Sequence, residues 1–256
     1  MELIGYIGAA LIGFSLGLFG GGGAILAVPL FVYFFDVPPL LATSYSLLIV
    51  GATSAVGFAR SWQLKQVDLR AGISFAIPSL LGVLFVRHLI LPVIPREWNW
   101  AGFLITKDSL VLVTFSIVML LAATAMILPR EVRKADRFSF PWFATKALVV
   151  GAVTGFVGAG GGFLIVPALV MLAGLSMKQA VGTSLGVIAF NSLLGFAGDL
   201  IQGVSLNVEL LGKVMLLALV GLFLGHLTLP RVSDQKLKPL FGLFVFALGA
   251  AILIWR

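Results

Sequence analysis

Of the chain's 256 residues, 60% are hydrophobic and only 11% charged, and the mean hydropathy is +1.14; soluble globular domains carry about twice that share of charge. This excludes a water-soluble fold. It also excludes nucleic-acid binding by a basic surface, because the 17 Lys and Arg behind the net charge of +7 sit singly or in short clusters between apolar runs, the pattern of loops at a membrane face. With no cysteine, disulfides, thiolate chemistry and Cys-ligated metals are excluded as well.

Windows of about 20 apolar residues give eight hydrophobic segments in chain order: 3–35, 40–59, 69–93, 106–128, 143–173, 178–201, 207–229 and 237–255. Met1-Glu2 supplies no basic n-region, so the first segment is not read as a signal peptide. Gly13 to Ala59 and Gly151 to Ala197 align at a constant offset of 138 residues, with 16 identities over 47 positions and no gap. The chain therefore reads as two homologous four-segment repeats, 1–128 and 142–256, joined by the hydrophilic linker PREVRKADRFSFP at 129–141. The expected fold is an all-α, polytopic helical bundle in a multi-pass inner (plasma) membrane protein.

The first segment of each repeat is too long for one span. At about 1.5 Å per residue, some 30 helical residues reach roughly 45 Å, against a hydrocarbon core of about 30 Å. In both, a glycine run interrupts the excess: GLFGGGGAILAVP at 17–29 and GFVGAGGGFLIVP at 155–167. Each glycine weakens a helix by about 1 kcal/mol relative to Ala, which predicts two helical arms joined by an unwound loop, with new helices starting near Ala24 and Phe163. Unwound backbone at membrane depth survives only when buried in protein or lining a cavity. A helix starting after such a loop directs N–H groups and its positive dipole end at the loop, which suits an anion. Gly20, Gly21, Gly22, Gly23, Gly160, Gly161 and Gly162 are thus candidate substrate-binding positions, with Pro29 and Pro167 fixing the departing arms. Gly13/Gly17, Gly151/Gly155 and Gly221/Gly225 instead have the small-xxx-small spacing of close helix packing.

Downstream of each break lies a small polar cluster: Ser44, Ser46 and Ser54 in the first copy, and Thr183, Ser184, Asn191 and Ser192 in the second. Hydroxyl and amide donors replace water around an anion without adding fixed charge, although Ser and Thr also bond back to their own helix. Ionisable residues inside apolar segments are costly, by at least about 2.5–3.5 kcal/mol at the bilayer centre. Asp199, Arg60, His88 and His226 are the candidates for coupling or gating, His88 and His226 again at the 138-residue offset. Two histidines without H-E-x-x-H give no metal site, and no hydrolase elbow is present, so neither a cofactor nor enzyme chemistry is expected. A channel shares duplicated halves and polar linings with a carrier and stays open as an alternative.

The twin G-x2-G-x-G-G…V-P elements, with A-V-G-T-S-L at 180–185, resemble the sulfite exporter TauE/SafE family of bacterial membrane transporters across essentially the whole chain. The first copy departs by reading A-T-S-Y-S-L at 42–47, so Ser44 and Tyr45 stand where the second has Gly182 and Thr183. The resemblance implies a carrier for small sulfur-containing anions such as sulfite or an organosulfonate like sulfoacetate, generally exported. Another small carboxylate or inorganic anion is the alternative cargo. The expected partners are that anion, the lipid bilayer and, as an option, a second copy in a homo-oligomer.

If each broken segment crosses once, the two faces carry 10 and 7 basic residues; if it enters and returns on one side, they carry 12 and 5. The positive-inside tendency favours the second arrangement, which makes the repeats inverted and places both termini outside. Alternating access would then rock one half against the other. A phosphatase reporter fused after Arg256 is expected to be active outside the cell; a fusion active only in the cytoplasm would reject this arrangement.

Overall fold

A computed structural model describes residues 2–90, 93–95, 97–100, 103–128, 140–157 and 162–254. These residues hold the helices α1 (Glu2–Phe19), α2 (Ala27–Phe35), α3 (Pro39–Gln63), α4 (Leu69–Phe85) and α5 (Lys107–Ile127), then α6 (Phe140–Val157), α7 (Gly162–Leu172), α8 (Met177–Ile201), α9 (Val208–Thr228) and α10 (Asp234–Ile254). The expectation of a purely helical chain needs one correction. After α4 and a π-helical turn at Val86–Ile90, β1 (Glu97–Trp100) and β2 (Phe103–Thr106) form an antiparallel ribbon with Glu97 opposite Thr106. The alternating polar and aromatic residues of β1 and the β-branched and aromatic residues of β2 fit a pleat better than a helix.

The first long segment is broken. Helix α1 stops at Gly20, whose φ of 70° and ψ of −118° are open to glycine and strained for other residues, and a 3₁₀ turn over Gly21–Leu26 leads into α2. The regular helix therefore begins at Ala27 rather than near Ala24, because six residues first wind more tightly. Pro29 falls in the first turn of α2, where a missing N–H is harmless. Helix α2 runs back along α1: the rings of Tyr6 and Phe35 lie 5.2 Å apart, and Leu30 packs over Gly8. The second long segment is likewise divided, into α6 and α7; residues 158–161 between them lie outside the described residues, while α7 starts at Gly162 and carries Pro167 buried inside it.

Helices from the first part of the chain pack chiefly on helices from the second. The main pairs are α1 with α9, α4 with α6, α3 with α8, and α5 with α10. Two are built on the small-residue spacings. Gly13 and Gly17 receive the backbone of Ala218 and Leu222, Gly221 and Gly225 receive that of Ala10 and Phe14, and Gly151 and Gly155 lie against Ser79 and Val83. The two parts of the chain are thus interlocked along these helix pairs.

Outward faces are apolar. Ile73, Ile77, Leu81 and Leu84 form an exposed stripe on α4, as do Leu3, Ile7 and Leu11 on α1; stripes of this kind fit hydrocarbon and would be an aggregation liability in water. Leu41–Gln63, Met177–Ile201 and Val208–Arg231 are long and apolar enough to cross a membrane.

At Gly21, an added Cβ would run into the Gly162 carbonyl, which is backbone and cannot swing aside. Overpacking costs about 1–3 kcal/mol, so Gly21→Ala is expected to lower the melting temperature in detergent by at least about 2 °C. Gly198→Ala, whose added methyl meets no heavy atom within 4 Å, should leave it unchanged or raise it.

Candidate functional site

The two interrupted segments meet in the middle of the molecule. Gly20 to Gly23 are all buried, and Gly21, the first residue of the 3₁₀ turn, lies with its backbone against Gly162, the first residue of α7. The 3₁₀ turn and α7 therefore start side by side. Around them stand Val166, Val181, Ile188 and the Ser184 hydroxyl, which an added Cβ on Gly20 would approach to 2.5 Å. None of these neighbours is acidic. The contact is backbone on backbone, with the Gly162 carbonyl oxygen facing Gly21 at an apolar centre. Gly160 and Gly161 lie outside the described residues.

The polar clusters after the breaks sit on α3 and α8, the central pair. Ser44 Oγ donates to Asp199 Oδ2 at 2.6 Å across that pair. One residue on, Tyr45 Oη accepts from the Asn207 N–H at 2.8 Å and donates to the Ser205 carbonyl at 3.3 Å, tying α3 to the start of α9. Thr183, at the position equivalent to Tyr45, accepts from the Asp68 N–H at 2.9 Å, tying α8 to the start of α4. Asn207 and Asp68 are the N-caps of those helices: Asn207 Oδ1 accepts from Leu210 N and Asp68 Oδ1 from Ala71 N. Each copy thus clamps a helix start belonging to the other.

Ser46 and Ser184 donate their hydroxyl hydrogens to the carbonyls of Thr43 and Val181, three residues back on their own helices, both at 2.9 Å. Their oxygens remain available as acceptors. Asn191 is half-buried, with its Oδ1 lacking a hydrogen-bond partner among the described residues, and the equivalents Ser54 and Ser192 are fully buried and half-buried. Arg60 is exposed at the end of α3, with Nη1 3.4 Å from Gln63 Oε1. His226 is buried, and its Nε2 lies 3.1 Å from Ser61 Oγ. His88 belongs to the π-helical turn, and its side chain lies outside the described residues.

Sequence reasoning passed over Ser61, Asp68 and Asn207. Ser61 is the 138-residue counterpart of Asp199, two positions beyond the end of the aligned block; extending the comparison that far would have found it. Asp68 and Asn207 carry the ordinary signal of a capping residue before an apolar run.

A protein-family model described as "Sulfite exporter TauE/SafE" matches residues 6–252. A "Probable membrane transporter protein" of Xylella fastidiosa (strain 9a5c) is 33% identical over 270 aligned positions, covering 100% of this chain and 96% of that protein. One of Methanocaldococcus jannaschii is 30% identical, with 78% of this chain and 72% of the relative covered. The Bacillus subtilis protein YunE, named a probable membrane transporter, is 27% identical over 73% of each chain. No solved structure matches.

Removing either clamp leaves a backbone N–H without its acceptor at a part-buried site, a loss of about 1 kcal/mol. Tyr45→Phe and Thr183→Val are each expected to lower thermal stability by a few degrees and to speed amide exchange at Asn207 and Asp68 respectively. Unchanged exchange at those amides would show that neither bond holds the helix start.

Proposed function

Because the chain belongs to the sulfite exporter TauE/SafE family and is a membrane transporter, we propose that it moves a small sulfur-containing anion, sulfite or an organosulfonate such as sulfoacetate, outward across the inner membrane by alternating access. The observation that carries this reading is the family match over residues 6–252 together with the buried contact of the two interrupted segments at Gly21 and Gly162. During the cycle the packing around Gly20 to Gly23 would part, and the absent side chains would then let the anion approach the backbone N–H groups.

The reading includes a multi-pass arrangement of two inverted repeats. It is supported by the return of α2 along α1 and by the reciprocal pairing of α1 with α9 and of α6 with α4. The moving bodies are then mixed units rather than sequence halves: α1, α2, α3 and α9 as one, and α4, α6, α7 and α8 as the other, sliding at the α3–α8 seam. The tyrosine and threonine clamps lie within that seam's reach and order its two ends. A proton is the proposed coupling ion, carried at the Ser44–Asp199 pair, whose carboxylate is the acidic group facing the seam.

In proteoliposomes, the chain is expected to release preloaded sulfite or sulfoacetate, with uncharged taurine analogues retained, and an imposed pH gradient should accelerate release. Asp199→Asn keeps an acceptor for Ser44 but no titratable proton, so release should become insensitive to the gradient. Gly20→Ala, which crowds Ser184, should lower flux at least about tenfold with insertion unchanged. Sulfur-anion flux equal to that of empty liposomes would overturn the cargo assignment.

A further inference from the structure

The aligned copies differ in bulk where α8 faces α4. The first copy has Tyr45 and Leu48 where the second has Thr183 and Gly186. In the second copy this leaves a cavity of about 300 Å³ between α3, α4 and α8, within the lower range of ligand pockets. Its wall is apolar apart from Asp68 and Thr183, which already bond to each other through the Asp68 N–H. Beyond the Thr183 hydroxyl the described wall offers a small anion no side-chain donor, and this cavity is distinct from the meeting point at Gly21 and Gly162.

The mouth of the cavity faces outward between residues that contact the surroundings: Ile73 and Ile77 are each 56% exposed and Phe190 48%. On a membrane protein those surroundings are hydrocarbon, so the opening is lateral, toward lipid tails. The other end reaches Val67 and Leu69 in the connection between α3 and α4. That connection marks an interface with water. Trp62, 50% exposed, packs its ring 6.0 Å from Phe58, a lining residue, in the position of an interfacial aromatic anchor. From Arg60 to Arg70 the chain carries Arg60, Lys65 and Arg70, all exposed, against one acidic residue, Asp68, whose Oδ1 caps α4.

We propose that this cavity is a binding site for an anionic phospholipid: one acyl chain enters between α4 and α8, and the headgroup phosphate lies against the basic residues of the α3–α4 connection. Apolar lining selects the chain, and the excess of positive charge at the interfacial end selects an anionic headgroup over a zwitterionic one. A bound chain would fill the space that Tyr45 and Leu48 fill in the other copy, so the site supplies by lipid what one repeat supplies by side chain.

The test is native mass spectrometry of the full-length protein released from bilayers of equal phosphatidylglycerol and phosphatidylcholine with matched acyl chains. One phosphatidylglycerol is expected to be retained with at least about fivefold preference. Gly72→Leu, whose new side chain projects past Thr183 into the cavity, and separately Ala76→Phe should lower retention to background. Arg60→Gln combined with Lys65→Asn, both exposed and away from the packed interior, should leave a retained lipid with no headgroup preference. Full retention in a cavity-filled variant that elutes as the parent does, or equal binding of the two lipids by the unaltered protein, would overturn the proposal; the loop variant, which does not disturb packing, decides it if the filled variants do not fold.

Discussion

Everything in this molecule is arranged around the approach of two backbones at Gly21 and Gly162. Two chain breaks inside a hydrocarbon layer would each expose peptide groups that lipid cannot satisfy. Bringing the first break against the start of α7 encloses its backbone, and it requires residues without side chains at the point of contact. The remaining glycine spacings, at Gly13, Gly17, Gly221 and Gly225, serve the same end at a distance, because they let α1 and α9 come close enough to hold the first break in place.

Around that centre, the two copies exchange supports. Tyr45 and Thr183 occupy equivalent positions, and each holds the cap residue of a helix from the opposite part of the chain. The residues are not equal in strength. Tyrosine reaches two backbone groups and packs edge-on to Phe31 with ring centroids 5.6 Å apart, while threonine reaches one. Ser44 adds its bond to Asp199 beside the tyrosine; in the other copy Gly182 has no side chain and instead admits the backbone of Gln66. The two ends of the α3–α8 seam are accordingly fastened unequally.

Much of this was readable from residue order. The glycine runs marked the first break, since consecutive glycines within an overlong apolar segment have no other cheap conformation, and the small-xxx-small pairs marked helix contacts. Partner choice was not readable: nothing in α1 specifies α9 over α4, because that preference arises from matching shapes along whole helices. Nor did composition reveal that Ser46 and Ser184 turn their hydroxyl hydrogens onto their own helices, a choice made by local rotamer geometry. The ribbon at β1 and β2 was hidden because four-residue strands leave too short a pattern to separate from a loop.

The pairing of α1 with α9 has a consequence for biosynthesis. Between Phe19 and Val208 the ribosome must add nearly 190 residues, which at about 5–20 residues per second takes roughly 10–40 s. Throughout that interval the glycine-lined face of α1 is without its mate while it waits in the translocon or among lipids. Until then α1 has chiefly the 3₁₀ turn and α2 to pack against, and a chain cut short before Val208 would lack the helix that fills its glycine-lined face.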